Sequence, residues 1–426
     1  MSGPAAQPPT VHRLANGVTV ICDAAPSFQT LALSVVAGRG ARFEDEARSG
    51  WSHLLEHMVF KGAGERSARD IVEVIEAAGG SINAATGYER TSFQVRALGG
   101  GLPLGLAVLA DLVLRPTLDA GDLEREIHVV GQEIAEAADT PDDFVFEIAQ
   151  AAAFAGQPLG RPVLGTDASI ACATPETLEA WRARLYAPDQ LVVSAAGAVD
   201  EDELLKLAEG LFGAARPSAS PAPDPARFTG GRAAERRRLE QAHLVFFLPG
   251  VAAADPDYFA FRLFAEALGG GMSSRLFQEA REKLGLAYAI DAFTETYDET
   301  GVLGVYAGCG AADAAKLAEV TAAELLKLAE AIDPAELARC QAQLKASLFM
   351  ARESLAARAE QAAGQLLVFG RLLPTAEIAA AIDAVGPADI KRLAGRVLGP
   401  GAITTASLGP AKALTAGDRF ERALKG

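Results

Sequence analysis

Two histidines and a glutamate fall within one five-residue run, His53-Leu54-Leu55-Glu56-His57. If the run is helical, as its apolar spacing through Met58 and Val59 predicts, His53 and His57 lie four positions apart on one face with Glu56 beside them. Neutral imidazoles are good zinc ligands, and a catalytic zinc takes three protein ligands and keeps a position open, so the pair leaves one ligand to find. A metal held there can activate a water, and a glutamate outside the ligand set can take that water's proton. The chain has only five histidines, and two of them are spent here.

The third ligand must come from another element. Asp119 or Asp122 opens a long amphipathic helix, Leu123 to Ala138, on which Glu126 and Glu133 share a face two turns apart with Val130 between them. Either carboxylate could complete the pair on spacing alone. Around these two helices the pattern alternates between sheet and helix. Asn16-Gly17 marks a hairpin between Val11–Leu14 and Val18–Ile21. Leu31, Leu33 and Val35 alternate as a half-buried strand. A Ser67-capped helix ends at Gly79-Gly80, two strand-like runs cover Ser81–Thr86 and Thr91–Ala97, and Leu102–Leu114 is helical. Thr174-Pro175 starts a further helix, and a strand at Leu191–Ala196 with a helix after Asp200 closes this half.

At 426 residues the chain is long for one core, which predicts two or more domains. The expected division is a metal-bearing domain over 1–213, a linker over 214–234 containing Pro217, Pro221, Pro223 and Pro225, and a second domain over 235–426. The order of elements repeats after the linker. Strand His243–Leu248 precedes helices Asp255–Leu268 and Ser274–Leu284 and strands Ala287–Phe293 and Gly301–Ala307. Phe264-Ala265-Glu266-Ala267-Leu268 stands where the histidine motif would recur. The fold class is therefore α+β, a duplicated unit of mostly antiparallel sheet with helices against it, one copy having kept the metal. Helices at Ala312–Ala331, Pro334–Leu355 and Ala357–Leu372 are expected to pack on the second sheet.

A formal net charge of −16 argues against a nucleic-acid partner, because phosphate binding needs clustered Lys and Arg. Cys22, Cys172, Cys309 and Cys340 show no C-x-x-C spacing, so a reducing, cytoplasmic setting is expected. Neither a secretory leader over Met1–Pro9 nor a membrane span is expected.

With these motifs in place, the chain resembles the inverted zincins of the mitochondrial processing peptidase, pitrilysin and insulin-degrading enzyme group, in its short two-domain bacterial branch. The resemblance is carried by His53-Leu54-Leu55-Glu56-His57-Met58-Val59-Phe60-Lys61-Gly62, by Ser81-Ile82-Asn83-Ala84-Ala85-Thr86, by Val130-Gly131-Gln132-Glu133-Ile134, and by Arg281-Glu282-Lys283-Leu284-Gly285-Leu286-Ala287-Tyr288. Ala63 replaces the usual threonine after Gly62, and the glycine-rich segment is reduced to Gly269-Gly270-Gly271.

The resemblance implies a zinc endopeptidase acting on unfolded peptides or presequence-like segments. His53, His57 and Glu133, the last 76 positions beyond His57, would bind one Zn2+ per chain, with Glu56 as general base. Glu126 would support a histidine from outside the ligand set. The Ser81–Thr86 strand, with Asn83, Ala84 and Ala85, would bind substrate backbone by strand addition. Arg281 and Tyr288 would hold the substrate. Read from spacing alone, Arg281 is a surface charge and Tyr288 a core aromatic. Family members of this length imply a homodimer whose two sites are each completed in trans inside a closed chamber. Two competing expectations remain, a non-catalytic structural or regulatory homologue and a catalytic subunit that needs a different partner chain.

Overall fold

Residues 8–216, 218, 223–399 and 401–425 are described in a computed structural model. Pro217 and Pro221 of the expected linker, and residues 1–7 of the N-terminal stretch, lie outside the described residues. The chain divides into two compact units, each assembled from three segments. The first comprises Met1–Ile134, Pro162–Asp224 and Met350–Pro374, and the second Ala135–Arg161, Pro225–Phe349 and Thr375–Gly426.

In chain order, the first unit contains strands β1 (Thr10–Arg13), β2 (Thr19–Ala24) and β3 (Thr30–Ala37), and helix α1 (Trp51–Val59). A two-residue pair, β4 (Gly62–Ala63) and β5 (Arg66–Ser67), precedes α2 (Ala68–Ala77), β6 (Ser81–Thr86), β7 (Thr91–Leu98), α3 (Leu102–Leu114) and α4 (Ala120–Asp139). Gly17 turns the first hairpin at φ 100°, a conformation glycine adopts without a steric penalty. The six-stranded sheet runs β1-β2-β8-β3-β7-β6, where β8 is Leu191–Gly197, so β6 is an edge strand, paired among the described residues with β7 alone.

β3 departs from the half-buried strand expected of it. Every residue from Leu31 to Ala37 is buried, because both faces of the sheet are covered. Leu31, Leu33 and Val35 join the core formed with α1, α3 and α8 (Glu201–Phe212), while Val36, with Ile21 and Val192, packs on Ala362 and Ala363. Those alanines belong to α12 (Leu355–Phe369), which in chain order follows α6 (Asp167–Ile170), α7 (Pro175–Leu185) and α11 (Pro334–Ala351) and precedes α13 (Thr375–Ala384). The expectation that this helix would lie on the second sheet is thus corrected. Its buried stripe of Arg358, Ala359, Ala362, Ala363 and Gly364 is small enough to seat closely against the first sheet. A carboxylate fixes it there: Asp23 on β2, 1% exposed, accepts from Arg358 through both oxygens and from Arg352 at 3.3 Å.

In the second unit α5 (Pro141–Ala153) covers one face of a five-stranded sheet, β11-β12-β10-β13-β9. Its strands are β9 (Gly231–Arg236), β10 (Gln241–Pro249), β11 (Ala287–Thr296), β12 (Gly301–Gly310) and β13 (Thr404–Gly409). Residues 231–234 are therefore strand rather than linker, with β9 running parallel to β13. On the α5 side Phe146 stacks on Tyr306, whose hydroxyl lies 3.0 Å from His243 Nδ1. The opposite face holds the main core, contributed by α9 (Tyr258–Gly269), α10 (Ala314–Glu330), α14 (Pro387–Val397) and α15 (Ala416–Lys425), with Phe246 stacked on Phe420 at 4.1 Å.

Candidate metal centre

Packing dictates which face of α1 is left for chemistry. Trp51, Ser52, Leu54, Leu55, Met58 and Val59 are buried, which turns His53, Glu56 and His57 to the opposite, half-buried side. The helix start is fixed by the buried carboxylate of Glu44, which accepts from Gly50 N at 2.8 Å and Ser52 N at 2.6 Å and satisfies amides that have no partner in the helix. Gly50 has φ 88°, and a Cβ there would come within 2.4 Å of the Leu164 carbonyl oxygen, so this entry requires glycine.

On α4, Leu123, Glu126 and Val130 are buried, and Glu133 lies one turn further along the same stripe. Glu133 Oε2 is 3.8 Å from His53 Nε2 and 3.5 Å from His57 Nε2. The three ligand atoms lie within 4.8 Å of one another. In a tetrahedral zinc site, with bonds of about 2.0–2.1 Å, donors sit about 3.3 Å apart. Two imidazoles and a carboxylate at these separations fit a zinc ion after small side-chain adjustments.

The protonation states suit the same ion. His57 Nδ1 lies 3.0 Å from Glu126 Oε2. An ionised carboxylate only accepts, so in a neutral ring at this position Nδ1 carries the hydrogen and Nε2 the lone pair. Glu126 is 6% exposed in its side chain and meets Lys61 Nζ at 2.8 Å on its other oxygen. Burial, with His57 alongside, pushes the His53 imidazole down to about 4, so it is neutral at pH 7. Its Nδ1 is buried without a hydrogen-bond partner among the described residues.

Glu56 lies outside the ligand set. Burial raises its carboxyl above the usual value, opposed by the Thr86 hydroxyl, which donates to Oε2 at 2.6 Å. A hollow of about 390 Å3 opens beside Glu56 and His57, walled by Phe60, Val72, Ile82 and Ala84 and edged by Asn83. Ala85 is exposed on the same strand. Thr86 and Lys61 are the two residues that sequence reasoning missed. Lys61 could have been found from its position four residues beyond His57, whereas nothing local marks Thr86.

Arg281 and Tyr288 belong to the second unit. Arg281 is exposed on a π-helical turn, Phe277–Lys283, with its guanidinium over the Phe277 ring at 4.7 Å. Tyr288 is 65% exposed and not the core aromatic that spacing alone predicts. The β11–β12 register slips between Ala287 and Ala289, so Tyr288 occupies a β-bulge, a device that re-aims a side chain.

A family model described as Insulinase (Peptidase family M16) matches residues 19–167, and one described as Peptidase M16 inactive domain matches residues 173–344. The chain belongs to peptidase family M16. The first M16 match contains His53, Glu56, His57, Glu126 and Glu133. A Rickettsia bellii protein named an uncharacterized zinc protease is 35% identical over 401 residues, covering 94% of this chain and 97% of its own. The Bacillus subtilis uncharacterized zinc protease YmxG is 33% identical over 382 residues, covering 89% and 93%. The crystal structure of a protease from Helicobacter pylori superimposes with a TM-score of 0.88 at 20% identity, over 95% of this chain and 99% of that one, and shows the shared two-domain fold. Among the described residues, no helix is long and apolar enough to cross a membrane.

Proposed function

We propose that this M16 chain is a zinc-dependent endopeptidase for unfolded peptides, with His53, His57 and Glu133 holding one Zn2+. The observation that carries the reading is the convergence of two Nε2 atoms and one carboxylate oxygen, with a second, partly desolvated carboxylate left free of the set. Held by these three residues, Zn2+ would supply an activated water and Lewis-acid polarisation of the substrate carbonyl. Glu56 takes the proton of the attacking water and delivers it to the leaving amine nitrogen, with Thr86 aiming its carboxylate. Glu126 holds His57 in the ligating tautomer, and Lys61 balances the charge of Glu126. The substrate backbone adds to the free edge of β6, where Asn83 to Ala85 present amides and carbonyls whatever the substrate sequence.

Arg281 and Tyr288 are assigned to substrate binding by the resemblance, and their exposure at a π-helical turn and a β-bulge supports it. The same resemblance supports a homodimer in which these two residues serve the partner's zinc. The test is digestion of a peptide library with and without chelator, with cut sites mapped by mass spectrometry and the protein sized in parallel. Chelator-sensitive cuts by the pure protein are expected. No cleavage by zinc-loaded protein refutes the reading, and cleavage only after a second polypeptide is added refutes the homodimer.

A further inference from the structure

The helix that carries Glu133 is held unevenly along its length. Leu123, Glu126 and Val130 bury the first part of α4, whereas from Gly131 to Asp139 no residue is buried, and Ile134 leans half-buried on the first core. Glu133 therefore stands on the loosely packed end. Its side chain is 38% exposed, against 15% for His53 and 20% for His57. Helix ends fray where few tertiary contacts hold them. A ligand carried on such an end needs a fastening beyond it, because a site works only when its groups stay within about 0.5 Å of the productive geometry.

The end of α4 is fastened carbonyl by carbonyl. The next helix opens at Pro141, which has no N–H to give, so Thr140 donates instead, from its hydroxyl to the Glu136 carbonyl at 2.8 Å and from its N–H to the Ala137 carbonyl at 3.3 Å. The Ala138 carbonyl accepts from the Arg237 guanidinium. That guanidinium lies over the Phe144 ring at 4.2 Å, and its Nε donates to Glu235 at 2.7 Å. The backbone N–H of Arg237 donates to the Gly409 carbonyl at 3.0 Å, which ties the arginine to the end of β13. A cation at a helix C-terminus also meets the negative end of the helix dipole. Arg237, Ala138 and Phe144 all belong to the second unit, and Ala138 lies five residues past Glu133, about 7.5 Å along the helix axis.

We propose that Arg237 is a positioning residue for Glu133. By pinning the last turn of α4 it holds the carboxylate where His53 and His57 can share an ion with it. The inference rests on the metal-centre reading and makes zinc affinity depend on a residue outside the first unit. Arginine suits the place because one planar group donates along its edge and stacks through its face.

The experiment measures the zinc affinity of the full chain by competition with a chromophoric chelator, and the visible spectrum of the Co2+-loaded protein, whose bands report ligand geometry. Arg237→Leu should weaken zinc binding about fivefold, the worth of a cation at a helix C-terminus, and should shift the Co2+ bands. Arg237→Lys, which keeps a cation for the Ala138 carbonyl, should recover most of the affinity. In a Glu133→Ala chain Arg237→Leu should change neither readout, since the carboxylate through which it acts is gone. Unchanged zinc affinity in Arg237→Leu overturns the proposal and leaves the metal centre standing. An equal loss with and without Glu133 also overturns it, because Arg237 would then support the fold alone. If Arg237→Leu does not fold, Phe144→Leu takes its place, removing the ring and leaving the hydrogen bond, with the same two refuting results. A parent chain that binds no zinc overturns both readings.

Discussion

Replacing Glu126 with glutamine should weaken zinc binding about tenfold without removing a ligand. Glu126 carries the Nδ1–H of His57 at 3.0 Å and is 6% exposed in its side chain, so water cannot readily take its place. A hydrogen bond to a charged acceptor is worth about 1.5–3 kcal/mol and one to a neutral acceptor about 0.5–1.5. The amide therefore gives up about 1.4 kcal/mol, a factor of about ten in an equilibrium constant. Glu126→Ala, which leaves the imidazole hydrogen and Lys61 with no acceptor, should lose between about 10- and 100-fold. Competition for Zn2+ against a chromophoric chelator reads these values directly, with Glu133→Gln as the reference for losing a ligand. Affinity within twofold of the parent for Glu126→Ala would refute the reasoning. A loss equal to that of Glu133→Gln would move Glu126 into the ligand set.

Glu56→Gln should cut turnover by at least about 10²–10⁴-fold while zinc content by elemental analysis stays at one per chain; loss of zinc would show that Glu56 binds the metal. Thr86→Val removes the hydroxyl that stabilises ionised Glu56, while the burial that raises its carboxyl remains. The protonated form then persists to higher pH, so the acid limb of kcat/KM should move up; an unmoved or lowered limb contradicts the general-base role. Asp23→Asn removes the charge that pairs buried Arg358, and should cost about 3–5 kcal/mol in urea unfolding of the whole chain. A change below about 1 kcal/mol would show that α12 is held by packing alone.

The two helices of the candidate site, α1 and α4, were legible because their information is local. His53, Glu56 and His57 face the same way through helical spacing, and Glu126, Val130 and Glu133 form one stripe on α4 for the same reason. Thr86 was not legible, since its contact with Glu56 exists only once β6 is laid beside α1. β3 shows the same limit. Its alternating leucines and valine suggest one wet face, yet a helix more than 300 residues downstream covers that face, and nothing between Thr30 and Ala37 records it. α12 itself reads as an ordinary amphipathic helix, and which sheet it serves is written in a pairing of Asp23 with Arg358 across the sequence. Tyr288 looked like a core aromatic because a regular strand would have buried alternate residues, and the bulge changed the register at that residue.

The placement of α12 also bears on how the protein is made. The last strand of the first sheet ends at Gly197, but the helix that covers Ile21, Val36 and Val192 finishes only at Phe369. At a synthesis rate of about 5–20 residues per second, about 9–34 seconds pass between the two. Throughout that interval the nascent chain carries an uncovered sheet face, with Ile21, Val36 and Val192 exposed beside Ser34 and Ser194 and with Asp23 lacking its arginine partner. A gene fragment ending before residue 350 never closes it, so such a fragment should be recovered in inclusion bodies or with a bound chaperone, and should become soluble when the missing segment is supplied on a second polypeptide.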